Sequence, residues 1–101
     1  MKKHALQRPR QLKRWRDSLC TVLSRLQTEE ECCRFLEDLC TPAELEAMAD
    51  RWKVVGLVDE GIPYREINEM TGVSVTTIGR VARSLVQGTG GYRIGLDYIN
   101  G

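Results

Sequence analysis

The sequence predicts an all-α protein built around a helix-turn-helix, and three observations carry that reading. Apolar residues recur at helical spacing in one segment after another, and a capping signal stands at the start of nearly every segment. The third is residues 64–85, YREINEMTGVSVTTIGRVARSL, in which a short amphipathic stretch and a longer one meet across a Thr-Gly break. The only strand-like run is the β-branched VSVTT, and there Ser74 as a cap and the helical spacing of Ile78, Val81 and Leu85 favour helix.

The first helix is read from Leu12, because Leu12, Trp15, Leu19, Val22, Leu23 and Leu26 fall on one face. Ahead of it, residues 1–11 form a basic leader, and residues 12–101 are read as a single helical domain. Thr28 followed by Glu31 is a capping box that opens a second helix with the stripe Cys32, Phe35, Leu36, Leu39 and Cys40. Thr41, Pro42 and Glu44 repeat the start signal, since proline suits the first helical position and the glutamate can close another capping box. The third helix then runs to about Glu60 on Leu45, Met48, Ala49, Trp52, Val55 and Val58; Gly61 stops it, and Pro63 begins the next.

The helix-turn-helix covers about residues 63–87. Gly72 can take the left-handed conformation in which a helix ends, and Ser74 can accept from the orphan amides of the helix that follows. Ile67, Val73, Ile78, Val81 and Leu85 fall where two crossed helices touch, which leaves Arg65, Thr76, Thr77, Arg80 and Arg83 facing outward, where they suit phosphates and base edges. Beyond Leu85, Gly88, Gly90 and Gly91 break the pattern and predict a hinge, so five helices are expected in all. Tyr92, Ile94, Leu96, Tyr98 and Ile99 are too apolar for a free tail and should dock on this subunit or on a partner.

A chain of 101 residues accommodates one small core, and chains this short often gain stability by oligomerising. Trp15, Leu19, Leu23, Leu36 and Leu39 could face Trp52 and Val55, but the first helix is long for a short second helix to cover, so a homodimer is expected. The net charge is only +1, yet it conceals an asymmetry. Lys2, Lys3, Arg8, Arg10, Lys13, Arg14 and Arg16 precede the first acid, Asp17; the middle is acidic from Glu29 to Asp50; the sign turns positive again from Arg65 to Arg93. Basic ends around an acidic centre fit one face for double-stranded DNA and another for solvent or a partner, while the leader taken alone also fits a solvated terminus.

No apolar run approaches the roughly 18 residues that cross a bilayer, so a soluble, cytoplasmic protein without a membrane partner is expected. Cys20, Cys32, Cys33 and Cys40 lack metal-ligand spacing, the lone His4 sits in the leader, and buried reduced thiols are the expectation, with no metal and no cofactor. Nothing assembles a nucleophile and base, a phosphate-cradling loop or clustered carboxylates, which argues against an enzyme.

Four blocks now carry a family resemblance: CRFLEDLCTPAELEAMADRW (residues 33–52), DEGIPYREI (59–67), TGVSVTTIGRV (71–81) and GGYRIGLD (90–97). With them the chain resembles the Trp-repressor superfamily, most closely its YerC/YecD branch of uncharacterised repressor-like proteins. The resemblance implies an intertwined homodimer of helical subunits whose paired helix-turn-helix heads meet successive major grooves. It implies DNA contacts at Tyr64, Arg65, Gly72, Val73, Ser74, Val75, Thr76 and Thr77, with Arg80 and Arg83 added by charge and position. The function it implies is sequence-specific transcriptional regulation, a repressor most directly. The competing reading is a helical interaction module that has lost DNA binding, since Val75 and Gly79 leave the recognition face sparse in hydrogen-bonding groups.

In the tryptophan-responsive member of that family a threonine, an arginine of the third helix and an arginine of the recognition helix hold the effector, and the matching positions here are Thr41, Arg51 and Arg80. A small-molecule effector is therefore a candidate partner. Tryptophan itself fits poorly, because Val81 stands where that member has a glycine and the indole lies flat. Thr41 also reads as a plain helix cap, Arg51 as half of an ion pair, and Arg80 as a direct contact to guanine or phosphate. Gly79 departs from the serine or threonine of the YerC/YecD pattern. Glycine there costs about 1 kcal/mol of helix stability relative to alanine, and either softens the helix or admits a close approach of DNA.

Overall fold

The computed structural model describes residues 2–101, with side chains from Arg8 onward, so Lys2, Lys3 and His4 of the basic leader lie outside the described side chains. Six helices follow one another: α1 (Lys2–Arg25), α2 (Glu29–Leu39), α3 (Pro42–Asp59), α4 (Tyr64–Thr71), α5 (Val75–Gln87) and α6 (Gly91–Asn100), with no strand among the described residues. None of these helices is long and apolar enough to cross a membrane.

The chain divides into two compact units, Met1–Cys40 and Thr41–Gly101. In the first unit, α1 begins well before Leu12 and continues through Pro9. Apolar period marks the face a helix can bury, whereas the helix propensity of Lys, Arg, Gln and Leu in the leader carries no such period. Thr28 caps α2 as its sequence predicts: its hydroxyl accepts from the Glu31 amide at 3.0 Å. No described side chain of α1 or α2 is buried, and Leu12, Trp15, Val22, Leu23 and Leu39 are exposed. The expected core of Trp15, Leu19, Leu23, Leu36 and Leu39 is therefore not closed within this chain.

The expectation of buried thiols fails for the same reason. Cys20 and Cys33 are exposed free thiols, while Cys32 and Cys40 are half-buried, because they lie on or at the end of helices that bury no described side chain.

The second unit holds the core. Val54, Val55 and Leu57 of α3, Ile67 of α4, Ile78 and Val81 of α5 and Leu96 of α6 are buried together, flanked by Val58, Ile62, Val73, Leu85 and Tyr92. α3, α4 and α5 pack on one another in all three pairings, and α6 closes on α5. Thr41 starts α3 with a complete capping box: its amide donates to Glu44 Oε1 at 2.8 Å and its hydroxyl accepts from the Glu44 amide at 3.1 Å. The Thr41 amide, and then its hydroxyl, hold the Glu44 carboxyl below its usual range. That contribution to α3 is present at neutral pH and lost as pH falls through the depressed value.

Where five helices were expected, the Gly-rich tail forms a sixth. Gly90 has φ 90°, so the left-handed residue marks the start of α6 instead of a free hinge. Leu96 is buried, Arg93 meets Asp59 of α3 at 2.9 Å, and a side chain at Gly95 would place its Cβ 2.8 Å from the Trp52 ring. The tail thus docks on its own subunit.

Candidate nucleic-acid interface

The candidate interface is built on the turn between α4 and α5. Gly72 ends α4 with φ 75°, and its amide donates to the Asn68 carbonyl at 2.8 Å. Ser74 then starts α5, accepting from the Thr77 amide at 3.2 Å and donating to the Thr77 hydroxyl at 3.1 Å. Two residues not singled out by the sequence reading fix this turn. Asn68 Nδ2 donates to the Val73 carbonyl at 2.8 Å, while the Thr71 hydroxyl donates to the Ile67 carbonyl at 2.8 Å and accepts from the Val73 amide at 3.1 Å. Their signal was available in residue type, since short polar side chains beside a turn bond readily to local backbone.

With Ile67 and Ile78 fully buried beneath the turn, the orientation of α5 is set by packing. At 3.6 residues per turn, Ile78, Val81 and Leu85 point inward, and Thr76, Arg80, Arg83 and Gln87 line the opposite side. Thr76, Arg80 and Arg83 are exposed, as are Val75 at the first turn and Tyr64 and Arg65 at the start of α4. Among the described residues none of Arg51, Arg65, Arg80 and Arg83 forms an ion pair; the pairs present are Lys13 with Asp17, Arg34 with Glu30, and Arg93 with Asp59. Pro63 caps α4 without a side-chain hydrogen bond, so the first amides of that helix stay open beside Arg65. Gly72, Val73, Ser74 and Thr77, by contrast, are occupied in holding the turn.

Gly79 sits at the edge of the outward face, and a Cβ built there would meet nothing within 4 Å. This chain's own packing therefore gives no reason for a glycine, and the space beside it is open.

The three candidate effector residues are not brought together. An open concavity of about 350 Å³ lies between α3 and the start of α5, lined by Ala47, Asp50, Arg51, Val73, Ser74 and Thr77. Arg51 reaches it, whereas Thr41 serves the α3 cap and Arg80 lies on the exposed side of α5. Val81 is 3% exposed and belongs to the core cluster with Val54, Val55 and Leu57 of α3. Among the described residues no group of three or more His, Cys, Asp or Glu side chains could hold a metal ion.

The family model of the Trp repressor protein matches residues 13–99, nearly the whole chain. The chain belongs to the Trp repressor family. This family member is 40% identical over 83 residues to the uncharacterized protein YerC of Bacillus subtilis (strain 168), covering 82% of this chain and 80% of that one. Two solved structures share its fold. A candidate Trp repressor from Staphylococcus aureus is 37% identical with a TM-score of 0.77, covering 83% of this chain and 84% of that chain. A TrpR-like protein from Eubacterium eligens ATCC 27750 is 33% identical with a TM-score of 0.78, covering 83% and 87%. The all-α, Trp-repressor-like fold read from the sequence is thus the fold of this chain.

Proposed function

We propose that this family member is a sequence-specific DNA-binding regulator of transcription, most directly a repressor, working in the cytoplasm as a homodimer with two helix-turn-helix heads. One observation carries the reading. The outward face of α5 presents Thr76, Arg80 and Arg83 with no carboxylate paired to them, on a helix whose position is fixed by Ile67, Ile78 and the Asn68 and Thr71 clamp. Thr76 and Val75, in the first turn, suit base edges and thymine methyls; Arg80 suits guanine or phosphate; Arg65, Arg83 and Tyr64 suit the backbone. Names borne by the relatives, a Trp repressor and a TrpR-like protein, agree with this reading. The open space beside Gly79 gives a phosphate or sugar room to approach α5.

Binding to a genomic duplex pool, measured at low and high salt, tests the reading. The wild-type chain is expected to bind with a steep salt dependence, and changing Arg65, Arg80 and Arg83 together to alanine to weaken binding most at low salt and to flatten that dependence, because each lost phosphate contact removes about 0.9 from the slope of log affinity on log salt. Absence of binding at low salt would overturn the regulator reading in favour of an interaction module.

Tryptophan has no place in this reading, because Val81 fills the gap a flat ring needs and Thr41, Arg51 and Arg80 do not converge. A ligand bound only to the folded state raises the unfolding midpoint. The midpoint of thermal unfolding is accordingly expected to stay unchanged at millimolar tryptophan; a rise that an Arg51→Ala variant loses would restore the effector site.

A further inference from the structure

The cations of α1 have no role in the reading head. Arg8, Arg10, Lys13, Arg14 and Arg16 are all exposed on a helix that carries no acid before Asp17. At 100° per residue, Arg10, Lys13 and Arg14 fall on the side opposite Leu12, Trp15 and Leu19, while Arg16 borders the apolar stripe. Asp17 neutralises Lys13 at 2.9 Å, and Arg8, Arg10, Arg14 and Arg16 pair with no carboxylate among the described residues. Arg10 and Arg14 stand one turn apart with like charge, an arrangement that weakens an isolated helix. After Asp17 the next acid of the chain is Glu29.

We propose that this basic face of α1, centred on Arg10 and Arg14, binds the DNA phosphate backbone as a second contact, separate from α4 and α5 and indifferent to base sequence. The inference rests on the regulator reading and extends it. Guanidinium groups in a row along a rigid helix match a row of phosphates, and such contacts add salt-dependent affinity without choosing bases. A membrane surface fits less well. The apolar stripe of α1 runs on to Leu23 while its dense cations stop at Arg16, and Arg8 stands on the apolar side, whereas an interfacial helix carries its cations on the polar face along the whole apolar stripe.

The test compares wild-type chain with an Arg10→Gln, Arg14→Gln variant on a specific and a random duplex between about 50 and 200 mM salt. Glutamine keeps the helix propensity. The slope of log affinity on log salt is expected to become shallower by about 1.8 per protomer, with both duplexes weakened by the same factor. A control variant, Arg25→Gln with Arg34→Gln, removes two charges from the same unit and is expected to keep the wild-type slope.

An unchanged slope in the Arg10, Arg14 variant, while the Arg65, Arg80, Arg83 variant still loses binding, overturns this contact and leaves the regulator reading standing. An equal loss in the control also overturns it, by assigning the effect to net charge. Wild-type chain that binds no duplex at low salt removes both proposals. Association with anionic phosphatidylglycerol vesicles that is lost in the Arg10, Arg14 variant, with its DNA slope intact, overturns this one in favour of a lipid surface.

Discussion

Ile78→Ala is expected to lower the stability of the chain by about 2–5 kcal/mol, read as a fall in the urea or thermal midpoint by circular dichroism. Ile78 is fully buried and belongs to the same cluster as Val54 and Val55 of α3 and Ile67 of α4. Removing three carbons there forfeits their transfer out of water and leaves a cavity, because neighbouring helices can only partly collapse into it. A unit as small as Thr41–Gly101 has little stability in reserve. Its folded fraction should therefore fall visibly, and DNA binding should fall with it. Ile78→Val, which keeps the branched shape, is expected to cost only about 0.5–1.5 kcal/mol. Val86→Ala, at 83% exposure on the same helix, should change stability by less than about 0.5 kcal/mol. A loss at Ile78 no larger than that at Val86 would mean that α5 is not anchored through its inner face.

The elements read correctly from sequence are those whose signals are local. Thr28, Thr41 with Glu44, Gly72 and Ser74 each act within one turn of chain, and each stands in the structure as a cap or a left-handed helix end. The inner face of α5 was legible too, since Ile78 and Val81 follow from helical spacing alone. What escaped depends on groups distant in sequence. The run GTGGYRIG counts against a helix by propensity, yet α6 forms because Leu96 is buried and Gly95 lets Trp52 of α3 approach. Periodicity placed the start of the first helix at Leu12, since period reports burial, and Arg8, Pro9 and Arg10 before it are helical and exposed. The Arg51 concavity was half legible: Arg51 came from a resemblance, whereas the Val73, Ser74 and Thr77 side of it depends on how α5 packs on α3.

Trp15→Glu combined with Leu23→Glu is expected to turn the proposed dimer into a monomer, measured by light scattering at micromolar concentration. Trp15 is 55% and Leu23 42% exposed, on a stripe that also includes exposed Leu12 and Val22, and no described side chain of α1 or α2 is buried. A helix with that much unburied apolar surface is stable only when something covers it. A second copy of the same stripe is the self-complementary partner that a two-fold dimer requires. Charges placed at its centre would have to be buried unpaired, at a cost of several kcal/mol. The consequence for DNA is larger than the loss of one contact. Two linked heads bind half-sites about one helical turn apart, and linkage multiplies affinity by roughly 10²–10⁴ over a single head. The double variant should therefore lose that factor on a two-site duplex while retaining its weak affinity for a single half-site. It should also lose helical signal, since α1 and α2 bury little without a partner. A wild-type chain that is monomeric at micromolar concentration, or a double variant that stays dimeric, would separate the reading head from any paired mode of binding and leave α1 needing another cover.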